Sequence, residues 1–231
     1  MRNICIALTV LLIISLSFNV YTSIKINDLK NNIQTLTVDK NSINKYINNM
    51  SVAYKNLDWN SVTLNASAYK RKIKSINEPV DSKIYLYTSY AYYKLSQNLQ
   101  NGAKFELIKK GIDEIELYGL EYKDNTNAYF VKGLLLLNLD NDKYLNNLNE
   151  AINEFNNALK VTTDNKQIIN INHHIGVAYE RIALLYRDKL KNIGEAKKYL
   201  IKAEEKYQVT KEINMINNIE RYLNDLDKVK K

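Results

Sequence analysis

The chain is expected to be all-α, with an N-terminal membrane-spanning helix followed by stacked antiparallel helix pairs, and three observations point that way. Helix breakers are scarce, with one Pro and six Gly in 231 residues, and a Pro or Gly inside a helix costs roughly 3 or 1 kcal/mol. Apolar residues recur at spacings of three and four between short breaks rich in Asn, Asp, Gly and Thr. That spacing aligns side chains along one face of a helix. No run bounded by turns alternates apolar and polar residues with the two-residue period of a strand, so no sheet is expected.

At 45% hydrophobic and 25% charged residues, the composition is that of a packed domain and not of a disordered tail. Asn, Lys, Ile and Tyr recur throughout, as AT-rich codons would encode, which suggests a low-GC bacterium. The net charge is +8, and Arg2 is the only charged side chain before Lys25. Lys is interleaved with Asp and Glu rather than clustered. That pattern reads as a mixed solvated surface with no nucleic-acid partner, although a basic domain can also attract anionic polymers or lipid. The single Cys5 rules out a disulfide framework or a Cys-based metal site within one chain.

The first element, residues 1–24, sets the expected compartment. From Ile4 to Val20 the sequence carries no charge, and with Tyr21 to Ile24 it reaches the about 20 residues a helix needs to cross a bilayer. A secretory signal has a similar start, but Val20-Tyr21-Thr22 and Ser15-Leu16-Ser17 are poor matches to a small-residue cleavage site. An uncleaved signal-anchor is favoured. Cys5 precedes nearly all of the apolar run, so lipidation there is not expected. Lys25 and Lys30 outnumber Arg2 and argue for the opposite orientation, yet a long domain after a short amino-terminal tail translocates largely regardless of charge. The C-terminal domain is therefore expected outside a cell membrane crossed once.

Residues 25–50 place Ile26, Leu29, Ile33, Leu36, Ile43, Ile47 and Met50 at largely helical spacing. They read either as a helical stalk that would pair with a second copy or as a partly ordered tether. Pro79 ends any helix rising from Met50. Beyond it the pattern predicts helices over 82–97, 103–118, 125–139, 145–161, 166–191, 194–207 and 211–229. The domain boundaries are thus 51–210 for the paired helices and 211–231 for a capping helix with an Ile213, Ile216, Ile219, Tyr222 and Leu226 stripe.

The paired region repeats itself. Tyr129 to Leu136, containing Gly133, is followed by Ala151, Phe155 and Ala158, while Asn172 to Tyr179, containing Gly176, is followed by Ala196, Leu200 and Ala203. The two glycines are 43 residues apart and the two leading alanines 45. A fainter copy has Ser89 and Tyr92, then Gly111 and Ile115. This arrangement resembles the tetratricopeptide repeat family, which places a small residue in the first helix of each pair and Ala-x3-aromatic-x2-Ala in the second. The resemblance covers about Ser82 to Tyr207. It departs from the family in having longer pairs and no Pro after the second helix, so another α-solenoid stays open.

The resemblance implies a superhelix whose concave groove is lined by the first helices and takes a peptide or protein partner. Carried over relative to each small residue, the groove positions are Lys83, Leu86, Tyr90 and Tyr93, then Asn127, Phe130, Leu134 and Leu137, then Asn170, His173, Val177 and Glu180. Of these, Lys83, Tyr90, Tyr93, Asn127, Phe130, Asn170, His173 and Glu180 are the candidate contacts. Adjacent helical residues diverge by about 100°, so His173 and His174 are not expected to share a metal. Trp59, with Tyr54 and Tyr69, is expected to bury the first helix. No phosphate loop, His-Glu-x-x-His or Gly-x-Ser-x-Gly motif is present. The chain is therefore read as a non-catalytic scaffold without cofactor or metal, and the alternative is a structural protein attached to anionic wall polymers or lipid through its basic surface.

Overall fold

The structure is a computed structural model describing residues 25–31, 40–118, 124–140 and 143–228. Among these there is no strand, and apart from a 3-10 residue at Asp124 the regular elements are α-helices. After a short helical segment at 25–31 come α1 (40–55), α2 (Trp59–Ser75), α3 (Ser82–Ser96), α4 (Asn101–Glu116) and α5 (Thr126–Leu137). They are followed by α6 (Tyr144–Val161), α7 (Asn165–Asp188), α8 (Ile193–Thr210) and α9 (Ile213–Lys228). The anchor expected at 1–24 lies outside the described residues, and no helix among those described is long and apolar enough to cross a membrane.

The breaks are built by the polar residues that the sequence places there. Asn125 accepts hydrogen bonds at its side-chain oxygen from the N–H groups of Asn127 and Ala128, Asp164 from Lys166, and Asn192 from Glu195. Each satisfies an N–H that a helix start leaves without an intrahelical partner. Other ends were not signalled. The helix expected to rise from Met50 is interrupted at Leu57, whose φ of 59° turns the chain, and Asp58 then caps α2 through Ser61. Lys211, at φ 58°, ends α8 three residues later than its pattern predicted.

Consecutive helices pack as hairpins, α3 on α4, α5 on α6 and α7 on α8, and the first helices also touch one another, α3 against α5 and α5 against α7. The closest approaches fall at the small residues. A Cβ on Gly133 would lie 2.5 Å from the Phe155 ring, and one on Gly176 would lie 2.7 Å from Tyr207. Ser89 donates its hydroxyl to the Gly111 carbonyl at 2.6 Å, joining α3 to α4.

Gly176 thus meets Tyr207 where the repeat alignment had offered Leu200. The reason is length: α7 continues twelve residues past its glycine and α5 only four, so the antiparallel partner of Gly176 lies farther along the returning helix. Leu200 is still buried in the core that joins α7, α8 and α9. At the other end, Met50 is 3% exposed and Ile43, Tyr46 and Ile47 pack against the core of α1 to α3. Packing therefore begins inside the stretch read as a stalk, whereas Ile26 and Leu29 stay exposed.

Candidate functional site

The candidate contacts carried over from the repeat pattern fall into two groups and a remainder. On α3, Tyr90 is half-buried in a run of rings. Trp59 meets Tyr54 and Tyr90 edge-on, with centroids 5.4 and 5.5 Å away, and Tyr54 also contacts Tyr87 at 5.2 Å. Tyr90 continues the run to Tyr93 at 6.0 Å. Such edge-to-face pairs add about 0.5–1.5 kcal/mol beyond burial. Tyr93 itself is core, at 7% exposure, and its hydroxyl accepts from Gln97 at 2.7 Å. The Lys94 ammonium lies over both Tyr90 and Tyr93, 5.4 and 5.7 Å from their centroids. This is the arrangement that cation–π attraction favours.

The second group gathers on α7. Phe130 reaches it through His174, whose ring stands edge-on at 5.2 Å. His173 lies 2.9 Å from both carboxylate oxygens of Glu212, in the turn before α9. Glu180 accepts the Tyr207 hydroxyl at 3.1 Å, and Tyr207 packs on His173 as well as on Gly176. Leu134 and Leu137 are fully in the core. The remainder, Lys83, Asn127 and Asn170, are exposed near the starts of their helices.

Arg181 sits between the groups. Its Nη1 donates to the Leu137 carbonyl at the end of α5 at 2.5 Å, with the Tyr144 hydroxyl 3.4 Å away. Burial raises the Tyr93 hydroxyl pKa above its usual value, against the opposing pull of Arg181 and the Gln97 hydrogen bond. Burial also raises Tyr54, with help from Tyr90 and Tyr87. Tyr207 is pushed far above the usual range by burial and by Glu180. These phenols are therefore neutral hydroxyls at physiological pH. His174 is displaced downward, first by burial, so it is uncharged there. Its Nδ1 bonds the Asn170 carbonyl at 2.8 Å, which assigns the proton to that nitrogen.

Chemically, the α3, α5 and α7 face offers ring surface, hydroxyl donors and two cationic heads. Among the described residues no three His, Cys, Asp or Glu side chains come together as a metal site. A cavity of about 640 Å³ lies elsewhere, where Leu99, Gly102 and Phe105 meet Asn138 and Asp140.

Sequence reasoning did not single out Lys94, Arg181 or Glu212. Lys94 was legible as the residue one turn after Tyr90, and Arg181 as the residue two turns after His173; Glu212 was not, because only the α8–α9 turn delivers it. Trp59 and Tyr54 were read as packing residues, and both do pack on the α1–α3 core while forming the ring run. No protein-family model matches this chain, and the search of curated proteins finds no relative.

Proposed function

We propose that the chain is a non-catalytic scaffold of the cell envelope, resembling tetratricopeptide repeats, which holds an extended peptide or a protein segment along the face of α3, α5 and α7. The observation that carries the reading is the continuous row of first helices, α3 touching α5 and α5 touching α7, with half-buried Tyr90, Phe130 and His173 along it. Rings with few rotatable bonds and hydroxyl donors suit an extended chain, because they contribute contact area at little entropy cost. An anchor at residues 4–24 would hold this face at the membrane, with the domain on the extracytoplasmic side.

The test uses the full-length protein as bait against detergent-solubilised envelope proteins, beside Tyr87→Ala/Tyr90→Ala. Tyr93 is left intact because it is core. Capture abolished by the variant with helicity unchanged supports the scaffold. A second reading, diffuse attachment to anionic wall polymers or lipid, is favoured by Lys202, whose ammonium lies 4.8 Å over Tyr199 without a carboxylate partner among the described residues. Its mark is attachment that both baits share and that collapses toward ~0.5 M salt, where the screening length falls to a few ångströms.

A further inference from the structure

Several half-buried cations of the described helices face a carboxylate. Lys70 pairs with Glu114, Lys132 with Glu154 at 3.2 Å, Lys197 with Asp227, and His173 with Glu212. Lys94 and Arg181 do not, and neither do Lys202 and Lys206 on α8, but only Lys94 and Arg181 stand on the first helices α3 and α7. Among the described residues neither has a carboxylate within ion-pair distance, and both are half-buried. Lys94 lies on the Tyr90 and Tyr93 rings, which weaken its hydration without neutralising it. Arg181 uses one terminal nitrogen on Leu137 and Tyr144, which leaves Nε and Nη2 of its fork without an acceptor among the described residues. Glu180, its neighbour on α7, is committed to the Tyr207 hydroxyl, and Glu212, in the α8–α9 turn, to His173. Tyr93 is near both cations, its ring under Lys94 at 5.7 Å and its hydroxyl within the field of Arg181.

Partly desolvated charge without a counter-charge is costly unless a ligand supplies one. Arg presents paired donors that match a carboxylate, and Lys adds a point charge. We infer that Lys94 and Arg181 flank the seat of a carboxylate borne by the bound segment, so that the occupant of the α3, α5 and α7 face is an acidic peptide. This rests on the scaffold reading above. The polarity of the face follows: acidic side chains of the segment lie toward α3 and the end of α5, and neutral or basic ones toward Glu180 and Glu212.

Fluorescence anisotropy with four dye-labelled probes tests it on the full-length protein. The probes are a decapeptide alternating Glu and Ala, its Gln and Lys counterparts, and a polyphosphate of equal charge. The Glu peptide should bind at least tenfold more tightly than the Gln peptide, and Lys94→Gln with Arg181→Gln should erase that preference. Arg181→Lys should keep most of it while removing the fork, and melting curves identify any variant that loses its fold through the Leu137 contact. Equal binding of the Gln or Lys peptide, or an acidic preference that survives in the double variant, overturns the inference but leaves the scaffold standing. Binding of polyphosphate alone overturns it in favour of a phosphate polymer. If no peptide binds, the scaffold reading fails and the inference falls with it.

Discussion

The two ends of the α3, α5 and α7 face use the same aromatic residues differently. At the α7 end Tyr207 is fully buried, fills the space over Gly176 and gives its hydroxyl to Glu180, while His173 is held by Glu212. At the α3 end Tyr54, Trp59, Tyr87 and Tyr90 meet ring to ring, and the structure gives the Tyr90 hydroxyl no protein partner among the described residues. A polar group already satisfied inside the fold gains little from a ligand, whereas an open one keeps its hydrogen bond to offer. The difference separates a part of the face whose polar groups are satisfied within the fold from a part that leaves a hydroxyl open.

Truncation tests that contrast most severely. Tyr207→Ala should cost about 3–5 kcal/mol, the range for emptying a buried aromatic site. Tyr90→Ala should cost less, about 1–2 kcal/mol, for a half-buried ring and its edge-on contact with Trp59. Urea denaturation of both variants reads this directly, and equal costs would mean that the α3 end is as structural as the α7 end.

A smaller change sharpens the comparison at the cap. Lys211→Gly should raise stability by about 0.5–1 kcal/mol, because its left-handed φ of 58° carries a Cβ penalty that Gly lacks. The gain should appear in the denaturation midpoint, and Leu57→Gly at the α3 end should behave alike.

The smallest expected effect is a pH dependence confined to the middle of the face. Burial holds His174 below its ordinary value, so the unfolded chain, titrating near 6.5, takes up the proton first as the medium is acidified. Its share of stability is present above about pH 6.5 and is lost as pH falls through that value toward the folded pKa. The informative quantity is therefore the difference between wild type and His174→Gln melting curves from pH 7.5 to 5, and the variant should be the flatter.

Local features made much of the fold legible. Pro79 and the capping Asn and Asp residues placed the helix starts from α3 onward to within two residues, since a cap is a property of a few neighbouring positions. The break at Leu57 escaped notice because a Leu, not a Gly, holds the left-handed position, although Asn56 and the capping Asp58 flank it. The candidate contacts were legible as positions on helices but not as roles. Tyr93 was indistinguishable from Tyr90 in the pattern, and only the packing of α3 against α5 buries one and leaves the other half-open.

The sequence by itself determined the all-helical class, the helix pairs and the small residues where they approach, because helical period, breakers and Cβ size act over a few residues or one contact. Only the tertiary structure decided that Gly176 takes Tyr207 rather than Leu200, that Glu212 holds His173, and that Lys94 and Arg181 stand without carboxylates among the described residues. Those outcomes depend on how far each helix runs before the chain turns back. A difference of two turns in length moves every partner on the returning helix by as much, and nothing near the glycine records it.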